Sequence, residues 1–279
     1  MKRGMRARLG GLATHVGLLL AVAVVLIPFY WMTITAFKPF ADIFAIPPKW
    51  LPTSLDTTAF QRVFDAIPFA AMMMNSLKIA VLGTIGQVIS CSLAGYAIAR
   101  LDFLGRQPLF LAILLSMLVP YQVVMIPIFI IMKNLGLIND HLALIGPMYL
   151  GGALGIFLMR QFFMTLPREL EDAAKVDGAN PMQVFLRIIL PLSRPALTAL
   201  AAISFTTLWN DLLTPLIFLN TTELQTMPVG MSFFKGQHGT EWNLLMAAAV
   251  LNVIPAAIIF LITQKQLVSG ISVGSGVKG

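Results

Sequence analysis

The densest group of ionisable side chains lies between Arg168 and Asp177, where six of the ten residues are charged. A bilayer span does not tolerate that density of charge, so the segment must lie in water or at the membrane surface. Its carboxylates could accept hydrogen bonds from a partner protein, and the alanines between them would let the partner's backbone approach closely. An amphipathic segment resting on lipid headgroups would give the same pattern, and the residues alone favour neither interpretation.

The remaining residues give little indication of a catalytic site or a metal site. The chain has no GxxxxGK[ST] phosphate-binding loop, so we expect that it is not an enzyme and that any ATP hydrolysis takes place on another chain. A metal site needs ligands at short, regular spacing, whereas the histidines lie far apart on different segments. They are His15, His141 and His238. We therefore expect neither a metal nor another cofactor.

One acidic residue, Asp211, lies clearly within an apolar run. Burying it unpaired in a membrane would cost several kcal/mol, so it must face a cavity or a partner. If the long apolar runs of the chain cross a membrane, the polar residues within them could line a translocation path. These residues are Asn75, Gln87, Asn210, Asp211 and Asn252. Hydrogen bonding between helices is the alternative role for each of them.

The charged cluster belongs to a predicted unit of two helices joined by a turn. Pro167 suits the first turn of a short helix, and Gly178 suits the left-handed residue just past its end. Asn180 and Pro181 then predict the N-cap and first position of a second, amphipathic helix, which continues to about Leu190.

The composition is that of a membrane protein, because 58% of the residues are hydrophobic and only 11% are charged, against about a quarter charged in soluble domains. Apolar runs of roughly the 20 residues that a bilayer requires predict an all-α integral membrane protein with six transmembrane helices. The predicted segments are an N-terminus (1–11), a first transmembrane helix (12–37), an external loop (38–70), a core of five transmembrane helices (71–264) containing the loop 164–194, and a tail (265–279). The spans of the core are predicted at about 75–99, 108–132, 142–163, 196–219 and 244–263.

The basic residues predict the orientation of the chain. Most lysines and arginines fall at the two ends, in the turn near residues 100–106 and in the loop 164–194. Positive charge marks the cytoplasmic side of a membrane protein, so all four segments are predicted there, both termini included. Orientation thus accounts for the formal charge of +7, and we expect no nucleic-acid partner.

The charged unit resembles the EAA loop of the membrane subunits of bacterial ABC importers, whose pattern is EAA, three residues, glycine and a later I-x-L-P. Here the match is Asp172-Ala173-Ala174, then Gly178, then Ile-Ile-Leu-Pro at 188–191. Aspartate replaces the family's glutamate at position 172, which shortens its reach. In that family the loop is a coupling helix seated in a cleft of the ATPase subunit. The resemblance therefore assigns ATPase coupling to Glu171, Asp172, Ala173, Ala174, Asp177, Gly178, Ala179 and Pro191.

Further stretches resemble the carbohydrate branch of these importers. They are WNDLLTPL at 209–216, LQTMPVG at 224–230 and the terminal GVKG at 276–279. In that branch the second stretch belongs to an outer loop that meets the solute-binding protein, here through Thr226, Met227, Pro228 and Gly230. The resemblance covers about residues 68–279 and is to the second permease subunit, of the maltose-type G kind.

The resemblance implies a permease subunit of an ATP-driven, binding-protein-dependent importer of a sugar or sugar-like solute, in the bacterial or archaeal cytoplasmic (inner) membrane. A second homologous permease subunit, two cytoplasmic ATPase subunits and an external solute-binding protein would be its partners. Alternating access would be coupled to the ATPases through the 168–178 helix. The alternatives are a stand-alone secondary transporter built around Asp211 and a membrane-embedded enzyme. The acidic residues at 169–177 could imitate the acidic cluster that such an enzyme would need. The scarcity of cationic groups near the spans favours a neutral solute.

Overall fold

A computed structural model describes residues 2–236 and 239–275, with side chains between residues 14 and 264. Its α-helices are α1 (Lys2–Ala36), α2 (Phe40–Ile43), α3 (Thr58–Ala66), α4 (Phe69–Arg100), α5 (Arg106–Ser116), α6 (Tyr121–Asn134), α7 (Leu142–Ile145), α8 (Ala153–Thr165), α9 (Glu169–Val176), α10 (Pro181–Val184), α11 (Leu190–Leu192), α12 (Arg194–Trp209), α13 (Leu213–Phe218), α14 (Met227–Ser232) and α15 (Trp242–Ser275). Two 3₁₀ segments (Gly146–Leu150 and Thr222–Leu224), a π segment (Phe185–Ile189) and the antiparallel strands β1 (Lys235–Gly236) and β2 (Gly239–Thr240) complete it.

The two ends of the chain are helical as far as they are described. Because α1 begins at Lys2, residues 2–11 of the predicted N-terminal segment form one helix with the first span. The last helix runs past the predicted end of the sixth span, at about residue 263, to Ser275. His238 and the terminal stretch 276–279 lie outside the described residues.

In the described part of the chain, four helical stretches are long and apolar enough to cross a membrane, and they are Thr14–Ala36, Phe69–Arg100, Leu142–Thr165 and Trp242–Gln264. Two further apolar stretches are bent pairs of helices. The angle is 102° between α5 and α6 and 78° between the stretch from α10 to α11 and the following α12. Counting each pair as one span gives six. The predicted fold class, an all-α membrane protein, is confirmed.

The span predicted at about 108–132 is bent in the structure, because α5 ends at Ser116 and α6 begins only at Tyr121. Pro120 explains the break. Proline has no backbone N–H, and it disfavours a helical conformation in the residue before it. Pro120 itself has an extended conformation (φ −61°, ψ 138°), and the chain changes direction there.

The predicted continuous span at 196–219 is interrupted as well, between α12 and α13. In an unbroken helix the N–H of residue 215 would donate to the carbonyl of Asp211, but Pro215 has no N–H. Side chains satisfy the exposed backbone groups instead. Asn210 Nδ2 donates to the carbonyl of Thr206 at 2.9 Å, and the N–H of Thr214 donates to Asp211 Oδ1 at 3.1 Å.

Contacts divide the described chain into two units. The first comprises residues up to Ile67 together with Met231–Val253, and the second comprises Pro68–Gly230 together with residues from Ile254 onward. The predicted segment limits concern the side of the membrane on which each stretch lies, so this division does not test them.

In the first unit, the loop after α1 is organised around charged side chains. Lys38 is buried, with its Nζ 4.1 Å from the centre of the Trp31 ring and 2.5 Å from the carbonyl oxygen of Lys49, to which it donates. The Lys49 ammonium and the Thr53 hydroxyl both donate to the carboxylate of Asp42. Those two hydrogen bonds hold the pKa of the Asp42 carboxyl below its ordinary value. The loop is thus fixed to the end of α1.

In the second unit, the long helix α4 lies at the centre and packs against α8 and α12. Small residues on α4 make this packing close. A Cβ atom added at Gly95 would lie 2.8 Å from Met159 Cβ and 3.0 Å from the backbone nitrogen of Arg160. The backbones of α4 and α8 can therefore approach each other at Gly95 only because it has no side chain.

We expect Gly95→Val to lower the thermal stability of the detergent-solubilised protein. The added side chain would collide with the backbone of α8, and overpacking of this kind costs about 1–3 kcal/mol. Gly17→Val is the matched control, because a Cβ at Gly17 on α1 meets nothing within 4 Å. An equal fall in Tm for both variants would contradict the close approach.

A charged loop and an internal cavity as candidate functional sites

The charged segment forms the predicted helix and turn. α9 spans Glu169–Val176, and Gly178 adopts φ +83°, the left-handed conformation that favours glycine. The N–H of Ala179 donates to the carbonyl of Ala174 at 2.9 Å, and the N–H of Gly178 donates to that of Lys175 at 3.0 Å. This pair of bonds is a Schellman motif, which satisfies carbonyls at the end of the helix.

The second helix of the loop begins as predicted at Asn180 and Pro181. Asn180 Oδ1 accepts a hydrogen bond from the N–H of Gln183, and Gln183 Oε1 accepts one from the N–H of Asn180, both at 2.9 Å. This reciprocal capping box satisfies two backbone donors at the helix start. The sequence analysis did not predict this role of Gln183. The Asn-x-x-Gln spacing is typical of a capping box and could have indicated it. The helical stretch continues through the π segment to Leu192, slightly beyond the predicted end.

The residues assigned to ATPase coupling lie on two faces of the loop. Glu171 is buried, and Ala174 and Ala179 are half-buried against the core of the second unit. The exposed members are Asp172, Ala173, Asp177, Gly178 and Pro191. The coupling role stays a prediction for all of them, but only the exposed members have surfaces that a partner protein could contact.

Arg100, which the sequence analysis considered only as a positive charge near the cytoplasm, makes buried polar contacts with the loop and with the end of α8. Its Nε lies 3.1 Å from Glu171 Oε1, and the two side chains are only 3% and 6% exposed. Its Nη2 also donates to the carbonyl oxygens of Phe163 and of Leu166, the latter at 2.6 Å. Arg100 is the last residue of α4, so this helix is linked directly to α9.

We expect Gly178→Ala to destabilise the loop through backbone strain alone. A Cβ at Gly178 meets nothing within 4 Å, but φ +83° costs an L-residue about 1–2 kcal/mol. Gly146→Ala is the control, because Gly146 also has free space around it but a helical φ of −55°. SDS titration of the free energy of unfolding should show a loss only for the Gly178 variant, and equal values for both would contradict this account.

A cavity of about 450 Å³ lies in the second unit and is lined by residues of α4, α6, α7, α8, α12, α13 and the first 3₁₀ segment. Most of its walls are apolar. The polar residues that line it are Gln87, Tyr121, Ser204, Thr207, Asp211 and Thr214. The hydroxyl of Thr214 donates to that of Tyr121 at 3.3 Å, so the wall formed by α13 is joined to the start of α6. A cavity of this size, mostly apolar with a few polar groups, is typical of a small-molecule site.

Two of the five residues predicted to line a path, Gln87 and Asp211, reach this cavity from different helices. Gln87 comes from α4, and Asp211 comes from the break between α12 and α13. Asp211 is only half-buried, in agreement with the expectation that an acidic residue in an apolar run faces a cavity. Their role in a translocation path stays a prediction.

The other three path candidates lie elsewhere in the described part of the chain. Asn75 Nδ2 donates to the carbonyls of Glu223 and Gln225, at 2.7 and 3.0 Å, and so fastens the loop before α14. Asn210 is exposed at the end of α12. Asn252 on α15 is buried, and its Oδ1 has no hydrogen-bond partner among the described residues. A role in a translocation path stays a prediction for these three residues as well.

The loop predicted to face a binding protein is largely internal. Thr226, Met227 and Gly230 are buried and Pro228 is half-buried. The N–H of Met227 donates to the hydroxyl of Ser76 at 2.8 Å, so the start of α14 is fastened to α4. Contact of these four residues with a binding protein stays a prediction.

Comparison with known proteins identifies the family. Residues 88–273 match the family model described as "Binding-protein-dependent transport system inner membrane component". The chain is 33% identical to the diacetylchitobiose uptake system permease protein DasC of Streptomyces coelicolor, with all of both chains covered. It is 31% identical to the arabinooligosaccharides transport system permease protein AraQ of Halalkalibacterium halodurans, again with all of both chains covered. The sn-glycerol-3-phosphate transport system permease protein UgpE of Escherichia coli is 33% identical over 92% of this chain and 94% of its own.

The fold also matches that of a solved transporter. A chain of a bacterial ABC transporter involved in the import of the acidic polysaccharide alginate superposes with a TM-score of 0.79, at 23% identity, over 93% of this chain and 97% of its own. At that identity the match concerns the fold alone. Together with the family match and the full-length relatives, it leads to one conclusion: this chain belongs to the family of inner-membrane components of binding-protein-dependent transport systems and is a permease subunit.

Proposed function

We propose that this permease subunit carries a neutral, sugar-like solute across the inner membrane in an importer driven by ATP hydrolysis on separate subunits. The observation that carries the proposal is the construction of α9. Its outer face presents Asp172 and Ala173 to solvent, while its inner face is attached to α4 through the buried Glu171 and Arg100. A preformed helix with a small, exposed residue at its centre fits a groove on a partner protein better than it fits a lipid surface.

The partners would be a second homologous permease subunit, two cytoplasmic ATPase subunits and an external solute-binding protein. The chain has no phosphate-binding loop of its own, so the energy must come from another chain. A structural neighbour, with a TM-score of 0.61, is an alginate ABC transporter in complex with a pentasaccharide-bound periplasmic protein, which supports this assembly. Both termini and α9 would lie in the cytoplasm, and alternating access would be driven through α9.

The cavity supports a neutral solute. Among the described residues that line it, Asp211 carries the one ionisable acidic group, and neither lysine nor arginine is present. A carboxylate in a largely apolar cavity repels an anion and accepts hydrogen bonds from hydroxyl groups. The names of the relatives include both neutral oligosaccharides and a phosphate ester. The chemistry of this cavity favours the former.

Co-purification tests the proposal. The chain would be tagged, extracted from its own membranes in mild detergent and isolated, and every protein retained with it would be identified by mass spectrometry. We expect a second six-span permease and an ATPase. Recovery of this chain alone, or as a homodimer that still transports solute, would overturn the proposal and favour a secondary transporter built around Asp211. Mass spectrometry of the solute that the cognate binding protein carries would test the neutral-solute part separately.

A further inference from the structure

Arg100 joins three segments of the second unit with a single guanidinium group. It ends α4, its Nε faces Glu171 on α9, and its Nη2 donates to two carbonyls at the end of α8, those of Phe163 and Leu166. Its side chain is 3% exposed, so these contacts are shielded from water. A guanidinium suits this task because its donors point outward from one rigid plane.

The same end of α4 holds the second helix of the loop. One turn before Arg100, on the same face of the helix, the hydroxyl of Tyr96 donates to the carbonyl of Pro181 at 3.4 Å. The ring of Tyr96 also lies 5.0 Å from that of Phe185 and 6.1 Å from that of Phe163. Both helices of the loop are therefore attached to the last turns of α4.

The pair formed by Glu171 and Arg100 differs from the other ion pair of the loop. Lys175 and Asp172 lie 3.2 Å apart in solvent, where such a pair contributes little. A buried ion pair adds little net stability over an apolar contact of the same shape, but losing one partner leaves an uncompensated buried charge. The value of the buried pair thus lies in fixing the relative position of the helices it joins.

We propose that Arg100 is a positioning residue that makes α9 and the adjoining ends of α4 and α8 move as one body when the ATPases act on α9. Glu171 is the partner of Arg100 in this linkage and does not contact the ATPase. The exposed face of α9 binds the ATPase. The proposal rests on the proposed function, because it requires ATPases that bind α9. It assigns the transmission of force to two buried side chains that are 71 positions apart in the sequence.

Distance measurements between spin labels test this linkage without knowledge of the solute. One label would be placed at Arg168→Cys, at the start of α9, and the other at Leu93→Cys, on the exposed side of α4, in a Cys91→Ala background. The complex with its ATPases would be measured in lipid nanodiscs, first without nucleotide and then trapped with ATP and vanadate. We expect a narrow distance distribution with the same mean in both states.

Glu171→Gln is expected to broaden this distribution and to shift its mean by several Å between the two states. Glu169→Gln removes the same charge from an exposed position on the same helix, and it should leave the distance unchanged. Arg100→Lys keeps the charge but lacks the planar fork, so intermediate broadening is expected. If the Glu171→Gln complex does not assemble, the distance distribution of the Arg100→Lys variant tests the linkage instead.

Two results would overturn the linkage alone. They are a wild-type distance that changes between the two states, or an unchanged narrow distribution in both the Glu171 and Arg100 variants while the ATPases remain bound. Absence of ATPases from the purified wild-type complex would instead overturn the proposed function, and this proposal with it.

Discussion

Ala173→Arg is expected to release the ATPase subunits from the purified complex while the second permease stays bound. Ala173 is exposed on the outer face of α9, between Asp172 and the half-buried Ala174. A long, charged side chain at the centre of a helix seated in a groove would prevent close approach and bury a charge without a partner. A loss of about 3 kcal/mol corresponds to about 100-fold in affinity, enough to empty the site during purification.

Leu104→Arg is the matched control for that experiment. Leu104 is fully exposed in the turn after α4, on the side of the membrane that is predicted to be cytoplasmic, so the substitution adds the same charge outside α9. The ratio of ATPase to permease would be measured by quantitative mass spectrometry. Unchanged ATPase recovery with Ala173→Arg would contradict docking through α9, whereas equal losses in both variants would point to an effect of charge alone.

The second large effect is expected for Asp211→Asn, which should lower solute uptake about 10-fold to 100-fold. A hydrogen bond to a charged group contributes about 1.5–3 kcal/mol, and a solute hydroxyl would lose such a bond in the cavity. The amide oxygen of asparagine can still accept from the N–H of Thr214, so the start of α13 should persist. The substitution therefore tests the charge and not the local fold.

Uptake would be measured in proteoliposomes containing the complete complex, with the solute that mass spectrometry identifies in the cognate binding protein. Asp65→Asn is the control, since it removes the same charge from an exposed position on α3 that does not line the cavity. Unimpaired uptake by Asp211→Asn would remove this carboxylate from the translocation path. A loss of uptake together with dependence on a proton gradient would favour the secondary transporter.

The features that the sequence predicted best depend on neighbouring residues. The turn at Gly178 and the helix start at Asn180 each follow from contacts within a few positions, and both are confirmed. The apolar runs likewise predicted the fold class, because a bilayer requires spans of a certain length. Pro120 and Pro215 lie at breaks in the spans and can be read from the sequence, but whether a proline only kinks a helix or ends it depends on which neighbours satisfy the free carbonyls.

The features that the sequence missed depend on residues distant in the chain. Glu171 looked like the other acidic residues of its helix, and only the position of Arg100 beneath α9 shows that it faces inward. In the same way, Met227 looked like part of an exposed loop, but its backbone bonds to Ser76 and its side chain is buried. A single sequence gives the helical period of such residues and not the direction of the core.

The Schellman motif and the capping box, which close the turn between α9 and α10, have a consequence for assembly. Ordering a backbone residue costs about 1–2 kcal/mol of conformational entropy, and a loop that folds only on contact would lose that amount from its binding energy. Here the eight residues of α9 are ordered in the free chain by bonds that need no partner. The loop is preorganised, so binding of an ATPase would not need to order it. Nearly all of the binding energy from the contacts would then remain available to hold the two proteins together.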